Sequence, residues 1–239
     1  MITNFRLFVV SKIRSATWLL TLIPFVLVAC SSTSCQDGSV AEGLGNPQHV
    51  VVLLDKSGSM EFLVGDVLDG FNNFVDQLPS SSYVTLFGFE SIYGLRNIFD
   101  HEPANSVRKL TINDYILGDG TPLYDAISGS IVQVNMNRLN RASEKILFVI
   151  ISDGLENSST RYSLSDTREA ISQEISNGWD IRFYGLGADA ASEASNLGIP
   201  VSNGSAFAPS QAGVDEVFAD IAGSFTQSKT KPKCARLIP

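Results

Sequence analysis

The sequence predicts an α/β fold: a doubly wound, mainly parallel central sheet with helices on both faces. Three observations lead there. Apolar runs of strand length alternate with segments of helical periodicity, the order that lays parallel strands side by side under crossover helices. One run, KILFVIIS (145–152), is apolar almost throughout, as a strand covered on both faces must be. And 239 residues, 44% hydrophobic and 18% charged, supply one ordinary core with flanking segments and exclude a disordered chain.

Taken in order, HVVVLLD (49–55) is the first strand. EFLVGDVLDGFNNFVDQL (61–78) places Val64, Val67, Leu68, Phe71, Val75 and Leu78 on one helical face. YVTLFGFE (83–90) is the next strand, with LRNIF (95–99) as a hairpin partner. PLYDAISGSIVQVNMNRL (122–139) is helical, with Pro122 suited to the first turn and Thr121 to the cap before it. After the central strand 145–152 come a helix over 164–177, the strand DIRFYGLG (180–187), a short helix over 190–197 and a last helix over 211–225. Together they form one domain, 48–226, without internal repeats.

The flanks read differently. MITNFRLFVVSKIRS carries Arg6, Lys12 and Arg14 and no acid, and it precedes the apolar run ATWLLTLIPFVLVA (16–29), so 1–29 reads as an export signal. A membrane-spanning helix is the competing reading, but it needs about twenty apolar residues and Pro24 interrupts this run. LVAC, Leu27 to Cys30, resembles the lipobox of bacterial lipoproteins. That resemblance implies cleavage before Cys30 and lipid on its sulfur, each buried methylene adding about 0.8 kcal/mol of membrane affinity. Ser31 and Ser32 do not resemble the aspartate signal for inner-membrane retention, which leaves an outer-membrane destination open. The Gly-rich polar stretch 30–47 is a flexible tether, and 227–239 is a locally basic tail. Cys35 and Cys234, near the two ends of the exported chain, read either as a disulfide clasping the termini or as two separate thiols. Losing the signal's three basic residues makes the chain more acidic than its formal −8, so nucleic acid is excluded as a partner class.

In a sheet of this kind ligands bind beyond the carboxyl ends of the strands, where the topology changes direction. DKSGSM (55–60) leaves the first strand there, and SDG (152–154) leaves the central one. GDGTPL lies between them in sequence and sets Thr121 at a helix start. Asp55, Ser57, Ser59, Thr121 and Asp153 thus converge from three loops. Each alone is accounted for by a turn or a helix cap. Jointly they are five hard oxygen donors with no imidazole or thiolate, a set that favours Mg²⁺, with Mn²⁺ as second choice, over zinc or copper. Asp119, Asp125, Glu156 and Asn157 lie near enough to shape the rim, or serve as ordinary loop residues.

DKSGSM, DGTPLYDAI and FVIISDG, in this order and spacing, resemble the von Willebrand factor type A domain and its metal-ion-dependent adhesion site, D-x-S-x-S followed by a distant threonine and a distant aspartate. The resemblance covers about 48–226. It implies that Ser57 and Ser59 coordinate Mg²⁺ through their hydroxyls and that Thr121 joins them in the ligand-bound state. Asp55 and Asp153 then act through metal-bound water and hydrogen bonds. It implies also an open coordination position for an Asp or Glu carboxylate of a partner protein, and a last helix, 211–225, that shifts when the coordination changes.

Enzymatic readings fare worse. The chain has only His49 and His101 as candidate bases and no G-x-S-x-G elbow. His49 opens the strand that carries Asp55 and so projects from the opposite end. SVRK (106–109) has the S-x-x-K spacing of penicillin-binding enzymes without the companion motifs, and a dehalogenase-type phosphatase needs a second aspartate where Ser57 stands. No phosphate-binding loop is present. The sequence therefore points to a non-enzymatic, membrane-anchored, extracytoplasmic module that binds an acidic protein ligand through Mg²⁺. A structural envelope lipoprotein with an unused metal site is the alternative, and a hydrolase a more distant one.

Overall fold

The structure is a computed structural model that describes residues 48–137, 144–187 and 190–226. The export signal, Cys30, the tether, Cys35, Cys234 and the tail lie outside the described residues, as do the last two positions of the helix expected at 122–139.

Six strands form one sheet: β1 (Gln48–Asp55), β2 (Tyr83–Glu90), β3 (Gly94–Pro103), β4 (Lys145–Ser152), β5 (Asp180–Leu186) and β6 (Gly204–Phe207). Their spatial order is β3-β2-β1-β4-β5-β6, every pairing parallel except β2 with β3. The helices are α1 (Val64–Gln77), α2 (Leu123–Asn137), α3 (Leu164–Ser176), α4 (Ala190–Asn196) and α5 (Gln211–Thr226). This is the doubly wound α/β architecture the sequence predicts.

Why the central strands carry no polar face is visible in their packing. Val50, Val52 and Leu54 of β1 pack with Val67, Phe71 and Phe218 in a core under α1 and α5. Val51 and Leu53, one residue out of phase, enter a second core with Leu123, Ile127 and Ile171 under α2 and α3. A strand side chain alternates faces with period two, so a strand buried on both sides must be apolar at every position. The rings of Phe71 and Phe74 meet Phe218 at 6.5 and 5.9 Å between centroids, which ties α1 to α5.

Three elements differ from expectation. Residues 58–63 form a 3-10 turn, not the first turns of α1. Met60 and Leu63 are its buried residues, three apart as 3-10 geometry requires, so the α-helical stripe begins only at Val64. The hairpin strand runs on to Pro103, through the polar stretch Asp100 to Glu102 that apolar patterning passes over. And β6, GSAF, is too short and too small-residued to carry a periodic signal; its pairing with β5 from Phe183↔Gly204 onward makes it a strand.

The strand order places the change of direction between β1 and β4, neighbours in the sheet whose connections leave to opposite sides. The carboxyl ends of these two strands are Asp55 and Ser152.

Candidate metal centre

Asp55 ends β1 fully buried. Its Oδ1 accepts the Ser57 backbone N–H at 2.7 Å, and its Oδ2 accepts the Ser152 hydroxyl at 2.5 Å. The Tyr115 hydroxyl donates to the Asp55 carbonyl at 2.6 Å. Ser57 has extended backbone, and the 3-10 turn starts directly after it, so the Ser57 and Ser59 hydroxyls come within 3.1 Å of each other. The Ser59 hydroxyl in turn donates to Asp153 Oδ1 at 2.8 Å.

Thr121 arrives from the third loop. Its N–H donates to Asn157 Oδ1 at 2.9 Å, and its carbonyl accepts the Asn157 N–H at 3.2 Å. A Cβ placed on Gly154 would lie 3.1 Å from Thr121 Oγ1 and 3.9 Å from Ser59 Oγ, which locates the threonine hydroxyl against the same spot. All five residues singled out in the sequence are therefore brought together. Exposure rises across the cluster: Asp55, Ser57 and Thr121 are buried, Asp153 is half-buried and Ser59 faces solvent.

The loops are fixed by acids that point inward to backbone. Asp125 near the start of α2 accepts the N–H groups of Thr160, Arg161 and Tyr162. Glu156 accepts those of Ser158, Ser159 and Tyr124. Asp125, Glu156 and Asn157 thus fold the segment after Asp153 onto the helix start, while Asp119 stays exposed. Sequence reasoning missed Ser152 and Tyr115. Ser152 had a signal, since it ends the central strand beside the strand that ends in Asp55; Tyr115, sixty residues from its partner, had none.

Burial disfavours charge on both carboxyls of the cluster. Burial pushes the Asp55 carboxyl up to about 6, an effect that the hydrogen bonds from Ser152 and Ser57 offset only in part. Burial raises the Asp153 carboxyl as well, against the opposing bond from Ser59. A divalent cation bound among these oxygens would reverse both shifts. Two carboxylates and three hydroxyls with no nitrogen or sulfur among them fit Mg²⁺ and Mn²⁺.

No family model matches the sequence, and no curated protein matches it. Solved structures do share its fold. The pilus adhesin SpaC of Lactobacillus rhamnosus GG, in its open conformation, superposes with TM-score 0.61 at 15% identity, over 77% of this chain and 30% of that one. A von Willebrand factor type A structure from Catenulispora acidiphila gives 0.57 at 16%, over 74% and 42%. Proximal thread matrix protein 1 from the mussel byssus, with a zinc-occupied MIDAS motif, gives 0.56 at 14%, over 76% and 46%. This chain spans less than half the length of each. Fold and superpositions define the class: the domain has the von Willebrand factor type A fold.

Proposed function

We propose that residues 48–226 form a Mg²⁺-dependent protein-binding module that recognises an Asp or Glu carboxylate of its partner. The observation that carries this reading is the convergence of Asp55, Ser57, Ser59, Thr121 and Asp153, from three loops, on one spot at the strand ends. Ser57, Ser59 and Thr121 hold the cation through their hydroxyls, and Mn²⁺ is accepted in its place. Asp55 and Asp153 act through water and through the hydrogen bonds that orient the serines. When bound, the ion supplies an electrophilic point that takes a further carboxylate, because few charged groups of the chain neutralise it.

The chain's own residues do the rest. Ser152 and the Ser57 N–H hold Asp55 in one orientation. Phe62, Ile92, Tyr93, Ile116 and Leu155 lie on loops at the same sheet edge and expose half or more of their surface, or nearly so. Such an apolar rim around a charged centre suits a protein surface better than a free metabolite. Beside it lies a groove of about 600 Å³, where Arg108 is paired with Asp114 and Arg96 lies over the Tyr93 ring. Similarity to an adhesin and to a byssus matrix protein supports an interaction role over turnover. The module is carried outside the cytoplasm on a lipid attached to Cys30, with 30–47 as tether, in the cell envelope of a bacterium.

The test is a panel of extended peptides, each with one Asp or Glu between apolar residues, titrated into the full chain with Mg²⁺ and with chelator. The reading expects binding that needs Mg²⁺, that disappears in Asp55→Ala, and that is lost when the peptide's acid becomes its amide. Chelator-insensitive binding, unchanged in Asp55→Ala, would support instead a structural lipoprotein with an unused site.

A further inference from the structure

The sheet has a second cluster of ionisable side chains, at the opposite strand ends. His49 lies near the start of β1, Glu144 directly before β4, and His101 near the end of the antiparallel β3. The register brings all three to one edge: His49 pairs with Tyr83 and Ile146, and Tyr83 with Pro103. One ligand atom of each residue lies within 4.8 Å of the other two. His101 Nε2 is 2.9 Å from Glu144 Oε1, and His49 Nδ1 is 3.8 Å from Glu144 Oε2. His49 and Glu144 are buried, and the His101 side chain is only 11% exposed.

Several features hold these groups in place. The β2–β3 ladder shifts register between Val84 and Leu86, a bulge opposite Asp100 and His101. Bulges re-aim side chains and concentrate near functional sites. His101 has φ of 51°, the left-handed region uncommon outside glycine, and is the only non-glycine residue with positive φ among those described. Its N–H donates to the Thr85 hydroxyl at 2.9 Å, and the same hydroxyl lies 2.8 Å from His49 Nε2. The Tyr83 ring stacks on the His101 ring at 4.1 Å, 17° from parallel. One threonine and one tyrosine thus orient both imidazoles toward one carboxylate.

We propose that His49, His101 and Glu144 form a second metal site, for a zinc-class transition ion. The ligands are His49 Nδ1, His101 Nε2 and one Glu144 oxygen, with the fourth position open to water on the His101 side. Two imidazoles and a carboxylate suit Zn²⁺ and its neighbours, where the all-oxygen set at the other edge suits Mg²⁺. Ligands of a tetrahedral zinc ion with bonds of about 2.0–2.1 Å sit roughly 3.3 Å apart, so small side-chain rotations close the present spacing. The site requires the His49 tautomer that donates Nε2–H to Thr85 Oγ1, which leaves Nδ1 as the metal-binding nitrogen. Bound there, the ion cross-links β1, β3 and the start of β4.

The test uses the full chain carrying Asp55→Ala, which disables the other site. After metal removal, Zn²⁺ is added and the zinc retained through dialysis is counted. Co²⁺ replaces it in parallel, since four-coordinate cobalt with imidazole ligands absorbs visible light strongly and six-coordinate cobalt with oxygen ligands does so weakly. The proposal expects one retained equivalent and the strong cobalt band, both lost when His101→Ala is added, and zinc affinity about 10- to 100-fold weaker with Thr85→Val. If His101→Ala does not fold, Glu144→Gln takes its place with the same expectation. No retained zinc in Asp55→Ala, or zinc retained equally with His101→Ala, overturns the site.

Discussion

The two ends of one sheet make opposite use of the same strands. At the carboxyl ends, Asp55, Ser57 and Ser59 come from one hexapeptide, and Asp153 and Thr121 from two more short motifs, all but Asp55 on loops. At the amino ends, His49, His101 and Glu144 stand alone in sequence, and strand register and a bulge bring them together. The upper cluster is open to solvent at Ser59; the lower is nearly closed. Loops can vary their chemistry without disturbing the sheet, whereas a cluster assembled by strand register is part of the sheet's own architecture.

The largest expected effect separating the two ends is on Mg²⁺. Ser57→Ala with Ser59→Ala removes two hydroxyl ligands and should weaken Mg²⁺ by more than about 100-fold, with any loss of melting temperature coming from the buried Ser57, since Ser59 is exposed. Calorimetry and thermal unfolding on the same samples check it.

Next comes pH. Burial holds Asp55 at about 6 in the folded, metal-free protein against an ordinary 3.8. Between those values the folded state binds a proton that the unfolded chain does not. Asp55 therefore contributes stability to the metal-free protein that grows as pH falls from about 7 toward about 4, by on the order of 3 kcal/mol, and levels off below. Mg²⁺ affinity runs the other way over the same window. Asp55→Asn should flatten the stability profile and raise the metal-free melting temperature near neutrality, read by denaturation at a series of pH values.

A smaller effect belongs to the residue that steadies Asp55. Ser152→Ala removes the 2.5 Å bond to Oδ2 and should cost about 10- to 100-fold in Mg²⁺ affinity. Smaller again is the rim: Phe62→Ala, at a side chain 91% exposed, should leave Mg²⁺ binding unchanged and weaken an acidic peptide by about 1–2 kcal/mol. The smallest is a null effect across the sheet. Asp55 and His49 are six strand residues apart, about 20 Å, so His101→Ala should alter Mg²⁺ affinity less than about twofold. A larger change would mean that the two ends are coupled.

Much of the upper site was legible in the sequence because its residues are contiguous and follow strands whose ends apolar patterning marks. β1, β2 and β4 start and stop within a residue of expectation, since burial on both faces leaves no polar position to blur the boundary. What patterning could not show is the support behind the site: Tyr115 reaches Asp55 from directly after a short 3-10 turn (Ile112–Asp114), and Asp125 and Glu156 read as rim or ordinary loop residues although they spend their oxygens on backbone N–H groups. The lower cluster was illegible for a different reason. His49 was correctly set at the end opposite Asp55, but nothing local points His101 inward; only the β2–β3 bulge and a positive φ do. The last helix, α5, is held at one place in the metal-free fold. Its seat is Phe218 against Phe71 and Phe74, and the Tyr184 hydroxyl donates to Asp220 at 2.7 Å.

The central claim is that the five oxygen-bearing side chains at the carboxyl edge hold a hard divalent cation. Its most direct test is a calorimetric titration of Mg²⁺, then Mn²⁺, into the metal-free full chain, with Asp55→Ala alongside. The account predicts saturable binding at one site for each ion, abolished by Asp55→Ala. Absence of saturable binding, or equal binding by Asp55→Ala, would contradict it and leave DKSGSM as a strand end and a helix cap.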